Sequence, residues 1–513
     1  MENKIILEYV SGSINKNLRI SNRDPELKKE NIEDITKLVK YTQNKLHGYF
    51  KFSVLSNAYT EEKEADMIRN NDNFGHDWLY TDSGGLQVLT QGLEITDEVK
   101  DKVYGVQAKY SDYAMSFDEM PLMVVPENAT GSVNGDVGQV YIEELIEPTA
   151  KLSAKHIQRQ IDTFQKLKVE TKILPVLHGY DPDSFIRYGK TIFDNLKGIG
   201  DHIQGVSIAS LRGHSDSKVG VMKMFDYVPK ILNSGFIDDK YLSHIHLLGV
   251  ARHQRIMPII MMIKKGLLPD AIKKISFDST AITKSYTFGK VYQNVEEYKN
   301  PRNYSSALTM NDYRDKNHQN VEQFYRNVFD FVKDYPDNVF EDWEDIAKHS
   351  PNNGMHMKPT EMFEKHGRDF QRKYLAQMRY SSMYHAYSYL SVIEAYMNDE
   401  LDLDIIFGYN DSIKFIFKTF ESANTLDEFA DMCDYFYTTA KTGRTNLRIA
   451  SCQTIKEFEK KYLGEQPCLL RELGIEKGVE ILNEELKKPW IKSSMKRAKK
   501  GEINAINPSD SLF

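Results

Sequence analysis

The chain has 513 residues, a formal net charge of −7, and 41% hydrophobic, 11% aromatic and 27% charged residues. That composition belongs to a folded protein with more chain than one core comfortably uses, and it argues against a disordered chain. The acidic balance gives no global sign of nucleic-acid binding, although phosphate contacts depend on the charge of one face and not of the whole molecule.

Its amino terminus, MENKIILEYV, has neither the basic start nor the long apolar core of a secretory signal. The longest apolar stretch, Met257–Ile263, is too short to span a bilayer, so the expected location is cytoplasmic, with no membrane partner. Cys433, Cys452 and Cys468 are widely and irregularly spaced, which supports neither a disulfide framework nor a four-ligand zinc site.

In chain order, the first informative element is the apolar run Trp78-Leu79-Tyr80, followed by DSGGLQ at Asp82–Gln87. A strand ending in an acid, a hydroxyl and two glycines places a carboxylate beside backbone that a flat ligand can approach closely. The design recurs: YAMSFDE reaches Asp118, KILPVLHG reaches His178, GVSIAS reaches Ser210, HIHLLG reaches Gly249 and KKISFDS reaches Asp278. The runs lie roughly 30 to 60 residues apart, the length of a strand, loop and helix unit, and together they predict an α/β fold, a (β/α)8 TIM barrel.

Between these runs, Leu152, Ile157, Ile161, Phe164 and Leu167 recur at helical spacing and predict a helix over Pro148–Lys168. Pro126–Gln139 is rich in Gly and Asn and reads as a long loop over the strand mouths, either a functional lid or an insertion. The barrel is expected over residues 1–292. The polar stretch Gln293–Ser306 then marks the boundary to a predominantly α-helical C-terminal domain over 307–513. Helical patterns there cover Val321–Val332, Arg368–Tyr396 and Thr425–Thr439, with loops at Ser350–Pro359 and near Gly443. Lys487, Lys488, Lys492, Lys496, Arg497, Lys499 and Lys500 form a basic run without an acid among them, and Lys441, Arg444 and Arg448 a smaller one. Each reads as either a solvated basic face or a phosphate-contacting arm.

Asp82, Asp118 and Asp278 would face one cavity in such a barrel. One carboxylate can attack an oxocarbenium-like sugar carbon and a second can shuttle a proton, the division of labour of glycosyl transfer with retention. The third is then available to accept hydrogen bonds from the ring N–H and exocyclic amine of a guanine-like base. Strand-end aspartates also serve as helix caps and loop anchors, the alternative for all three.

DSGGLQ resembles the DSGGFQ signature of the tRNA-guanine transglycosylase family, and Phe117-Asp118-Glu119 resembles its FDE element. Leu177-His178-Gly179 resembles its VQGG strand end, Ile208-Ala209-Ser210-Leu211 its IGGL, Leu247-Leu248-Gly249-Val250 its LMGVG and Phe277-Asp278 its FDC. All six appear in the family's order, within roughly residues 75 to 290. The resemblance implies a base exchange without a cofactor. Asp278 is then the nucleophile and Asp82 the proton acceptor, Asp118 holds the guanine edge, and His178 and the amide near Ser210 lie at O6. The Leu248 carbonyl would lie near the C7 substituent, with Gly179, Leu211 and Gly249 among the substrate-binding residues and Ser83 against ribose or base.

The departures bear on the substrate. The family's CxCxxC zinc element has no counterpart, since no cysteine occurs between Asp278 and Cys433. Where its tRNA enzymes carry the arginines of PTRNARNG, this chain keeps one basic position as Lys284 and has Thr287 at the other. The glutamate that neutralises an aminomethyl group aligns with Ser215, which favours a neutral nitrile such as that of preQ0. His178 replaces a glutamine and brings a titratable ring.

These features are most similar to the DNA-guanine transglycosylase (DpdA) branch of bacterial and phage DNA modification. That branch implies DNA, a free 7-deazaguanine base and accessory modification proteins as partners, in the cytoplasm of a bacterium or a phage-infected host. The alternatives are an atypical tRNA transglycosylase and a non-catalytic nucleic-acid-binding subunit, the latter disfavoured by the presence of both Asp82 and Asp278.

Overall fold

A computed structural model of the chain describes residues 5–11, 25–46, 50–58, 62–70, 78–84, 96–125, 138–141, 143–209, 217–250, 252–279, 282, 290–299, 307–309, 319–336, 368–408, 411–429, 437–439 and 445–447. Strands β1 (Ile6–Ser11), β2 (Phe50–Asn57), β3 (Leu79–Asp82) and β4 (Tyr113–Met115) lie side by side and parallel. After a two-stranded antiparallel insertion, β5 (Leu122–Val125) and β6 (Gly138–Tyr141), the parallel series resumes with β7 (Lys172–Leu174), β8 (Val176–Leu177), β9 (Gly205–Ile208), β10 (His244–Leu247) and β11 (Lys274–Asp278).

The sheet runs β7-β4-β3-β2-β1-β11-β10-β9-β8, so its two ends are strands separated in sequence only by Pro175. Proline has no N–H to give to a ladder. The Pro175 carbonyl still accepts from Ser207, while Val176 N–H turns to the Ser116 hydroxyl at 3.2 Å, which bridges the break. β7 and β8 therefore act as one interrupted stave. It pairs with β4 on one side and β9 on the other, giving a barrel of eight parallel staves in chain order.

Helices cover the outside: α1 (Pro25–Lys45), α2 (Glu62–Arg69), α3 (Asp97–Tyr110), α4 (Ile146–Leu167), α5 (Pro182–Asn195), α6 (Ser217–Asn233) and α7 (His253–Lys264). Their starts are encoded locally. Asp181 caps α5 in a reciprocal capping box with Ser184, followed by Pro182 in the first turn, and Thr96 caps α3 by accepting from Val99 N–H. The predicted helix over 148–168 is α4. Its buried stripe is Ile157, Ile161 and Phe164 with Ala150, Ala154 and Gln160, whereas Leu152 and Leu167 are exposed, because the face against the barrel lies to one side of the leucines.

Beyond the barrel come β12 (Lys290–Tyr292), α8 (Val295–Lys299), β13 (Ala307–Thr309), α9 (Gln319–Val332), α10 (Arg368–Met397), α11 (Leu403–Ile406) and α12 (Asp411–Glu421). β12 and β13 pair across the polar stretch that reads as a boundary. α10 packs along α1 and α7: Arg379 pairs with Asp34, and the Tyr389 ring stacks on His253 at 4.3 Å. Phe225 of α6 likewise stacks on Phe420 of α12 at 4.0 Å, so these helices share one apolar core with the barrel's outer layer. The helix expected over 425–439 is corrected at its end. Tyr437–Thr439 is strand β14, paired antiparallel with β15 (Thr445–Leu447), as the aromatic and β-branched Tyr-Thr-Thr favours.

Among the described residues no helix is long and apolar enough to cross a membrane, and no cluster of His, Cys, Asp and Glu could hold a metal ion. The three cysteines, and most of the loop over 126–139, lie outside the described residues.

Candidate active site

In a parallel barrel every stave ends at the same rim, and side chains alternate between the outer layer and the interior. On β11, Ile275 and Phe277 join the outer core, so Lys274, Ser276 and Asp278 face inward. Asp278 is the last residue of that strand and is 9% exposed. Its Oδ1 accepts the Gly249 N–H at 2.7 Å from the turn after β10, and it also lies 3.5 Å from His246 Nε2. Gly249 has φ 70°, a backbone conformation that favours glycine, and this turn is what aims the N–H at the carboxylate. Behind the strand, Tyr9 donates its hydroxyl to the Ser279 carbonyl at 2.9 Å and fixes the backbone just past Asp278.

Across the rim, Asp118 stands three residues beyond β4 and His178 directly after β8, which brings them from neighbouring staves into contact. His178 Nε2 is hydrogen-bonded to Asp118 Oδ2. The same segment is anchored from outside. Glu119 N–H donates to Ser153 at 2.8 Å, its carboxylate meets His156 Nε2 at 2.9 Å, and its carbonyl accepts from Tyr188 at 2.8 Å. Gly179 touches Phe185 so closely that a Cβ would lie 2.5 Å from the ring, so a glycine is required where the chain leaves the rim for α5.

Asp82 ends β3 half-buried, with Ala58 N–H on its carbonyl at 2.9 Å; Ser83 is fully buried and Gly84 turns at φ 79°. Leu248 lies partly buried against the small interior apolar cluster of Val10, Tyr80, Tyr113, Met115, Leu174, Val176 and Ala209. Asp82, Ser83, Asp118, His178, Gly179, Leu248, Gly249 and Asp278 thus all lie at the carboxyl ends of the staves. Ser210, Leu211, Lys284, Lys441, Arg444, Arg448, Lys492, Lys496, Arg497, Lys499 and Lys500 lie outside the described residues.

Sequence reasoning missed the floor of this site. Glu8 is completely buried, bound to Lys274 Nζ at 3.1 Å, to the Tyr80 hydroxyl at 2.5 Å and to Ser53. Burial together with the Glu8 charge pushes the Tyr80 phenol well above its usual value. His244 Nε2 lies 2.6 Å from Ser276 Oγ and 3.4 Å from the Tyr80 oxygen, and burial holds its ring well below the ordinary imidazole value. His246 Nδ1 reaches the same Ser276 oxygen at 2.7 Å. Polar residues at every second position of otherwise apolar strands, His244-x-His246 and Lys274-x-Ser276-x-Asp278, are the signal that could have found it.

A second group missed from sequence is Lys223 on α6, 4% exposed and facing Arg255 of α7 and Asp181 at the start of α5. Burial, reinforced by the Arg255 charge, pushes its ammonium down to about 8.

The arrangement has the parts of a carboxylate-dependent group transfer: a carboxylate with one oxygen fixed by a backbone N–H, a second strand-end carboxylate, and an Asp–His pair on the facing staves. No protein-family model matches this chain, and no curated protein matches it.

Proposed function

We propose that this protein is a DNA-guanine transglycosylase of the tRNA-guanine transglycosylase superfamily, a pentosyltransferase that exchanges guanine for a 7-deazaguanine base such as preQ0. The observation that carries the reading is Asp278 at the carboxyl end of β11, with Oδ1 on the Gly249 N–H. That residue pair is the one in which the FDC-like and LMGVG-like elements meet in space.

In this reading an Asp278 oxygen attacks C1′ of a guanine nucleotide; the C1′–O bond forms as the C1′–N9 bond breaks, and Asp82 hands a proton to N9 of the departing guanine. The incoming base then loses its N9 proton to Asp82 and re-forms a C1′–N9 bond, which releases Asp278. Asp118 accepts from the N1–H and exocyclic amine of the base. Because His178 Nε2 is bonded to Asp118, the ring's task is to orient that carboxylate: with its N–H given to Asp118, Nδ1 is an acceptor, and the donor to O6 comes from the backbone at this rim.

DNA is favoured as acceptor by the Thr at position 287 and the missing zinc element. The basic residues from Lys487 to Lys500, with Lys441, Arg444 and Arg448, supply the backbone contacts that offset the few kcal/mol of flipping a base out of a duplex. The deciding experiment supplies purified protein with preQ0 and measures release of labelled guanine from duplex DNA, single-stranded DNA and tRNA. Release from DNA is expected. Release from tRNA alone would overturn the DNA assignment, and release from none would overturn the base exchange.

A further inference from the structure

We infer that His246 is a positioning residue for Asp278, and that a hydrogen-bonded chain through the barrel interior fixes its tautomer so that Nε2–H faces the carboxylate. The inference deepens the proposed base exchange and rests on Asp278 being its nucleophile. It starts from an anomaly: His246 is fully buried, and among the described residues its Nε2 has no hydrogen-bond partner, yet Asp278 Oδ1 lies only 3.5 Å away. An unpaired buried polar atom is costly, and a site where a carboxylate must move during reaction is a place where such a cost is retained.

The tautomer follows from the chain below it. The Tyr80 hydroxyl gives its only proton to Glu8, whose oxygens are the strongest acceptors within reach. The Tyr80 oxygen therefore acts as acceptor toward Lys274 Nζ and His244 Nε2, each 3.4 Å away. That places the His244 proton on Nε2, where it also meets Ser276 Oγ at 2.6 Å. Ser276 Oγ accepts this hydrogen bond, and its own proton has two acceptors within reach, the Tyr80 oxygen and His246 Nδ1 at 2.7 Å; the Tyr80 oxygen already takes Lys274 and His244, so the hydroxyl turns to the more basic imidazole nitrogen. With Nδ1 accepting, the ring's N–H is at Nε2, aimed at Asp278. Tyr80 packs against the His246 ring at 5.7 Å and an interplanar angle of 29°, which holds its plane.

The consequence for chemistry is a division between the two carboxylate oxygens. Oδ1 takes the Gly249 N–H and faces His246, while Oδ2 accepts no hydrogen bond from the described residues, so Oδ2 is the attacking oxygen. When Asp278 leaves C1′ in the second half of the exchange, charge returns to the carboxylate, and a donor already in place at Oδ1 stabilises it without reorganisation.

The test compares the full-length wild type with His246→Phe, His246→Gln and Ser276→Ala, in single-turnover release of labelled guanine from DNA with preQ0. His246→Phe should lower the rate about 30-fold or more with KM within about twofold, because the contact matters to the transition state and not to binding. His246→Gln, which keeps an N–H donor, should recover most of the loss, and Ser276→Ala should fall between. Nitrogen-15 histidine spectra of the unliganded protein should show His246 protonated at Nε2 with Nδ1 accepting, and Ser276→Ala should mix the tautomers. A His246→Phe enzyme within about threefold of wild type, or a His246 protonated at Nδ1, overturns the inference. If the wild type itself releases no guanine, the base exchange fails separately and the tautomer alone supports or overturns the positioning. If the phenylalanine variant does not fold, Ser276→Ala with the wild-type rate and a single tautomer overturns it equally.

Discussion

The Gly249 N–H and the Asp278 carboxylate meet across neighbouring staves, β10 and β11, at 2.7 Å, and the left-handed turn at Gly249 is what makes the meeting possible. Gly249→Ala should therefore act on chemistry before it acts on folding. A Cβ at φ 70° costs on the order of 1 kcal/mol. Relief of that strain tilts the N–H away from Oδ1, so the expected result is a cooperative thermal transition a few degrees lower with guanine release down about tenfold or more. An unchanged rate would show that the donor is idle.

Asp278→Asn keeps the size and the Gly249 contact but removes the proposed nucleophile. The variant should bind nucleic acid, release no guanine, and form no denaturation-resistant adduct on a gel that shows one for the wild type. Normal exchange by this variant would remove the covalent mechanism.

The Asp118–His178 pair predicts a different signature from the proposed nucleophile. Asp118→Asn replaces an acceptor by an amide that cannot accept from both N–H groups of guanine, and it leaves His178 Nε2 facing a different partner. Its loss should fall mainly on KM for the incoming base, whereas Asp278→Asn abolishes turnover at any base concentration. Titrating preQ0 against both variants separates the two.

The rim was far more legible in the sequence than the floor. Asp82, Asp118, His178, Gly249 and Asp278 stand at or just past strand ends, where a local run of apolar residues stops, and a local signal suffices to place them. Two staves were missed, β1 and β2. Both faces of a barrel strand are buried, and in IILEYVS and FKFSVLSN the charges of Glu8 and Lys51 interrupt the apolar run that marks a strand. The polar chain beneath Asp278 was invisible for a related reason. Glu8, Tyr80, His244 and Ser276 are far apart in sequence and are joined only by the register of parallel strands, which no single segment encodes.

Acid should weaken the fold below the ordinary histidine range. Burial holds His253 down to about 4 and His385 down to about 3, so between those values and about 6.5 the unfolded chain binds protons that the native chain does not. Stability is thus fully present above about pH 6.5 and falls with pH, by up to about 1.4 kcal/mol per pH unit for each such ring. Urea midpoints at pH 7.0 and about 5 should differ in that direction. His253→Gln, which keeps a donor for the Tyr389 carbonyl now 2.8 Å from Nε2, should flatten the slope; a variant with the parent's slope would show that His253 does not carry its share.

Lys223 reverses the usual expectation for a mutation in a buried position. Its ammonium is taken out of water on α6 and placed beside the Arg255 charge, and both effects depress it to about 8, with Asp181 opposing them. Below that value both native and unfolded chains carry the proton, and the native state bears the whole penalty, on the order of 3 kcal/mol for a shift from the ordinary lysine value. The penalty shrinks as pH rises from about 8 toward 10.5, because there the native lysine has lost its proton while the unfolded one retains it. Lys223→Met keeps the unbranched stem and removes the charge, so it should raise the urea midpoint at pH 7 and raise it less at pH 10. A midpoint that falls at pH 7 would mean that the ammonium is stabilised in the native state, and this account of its burial would be wrong.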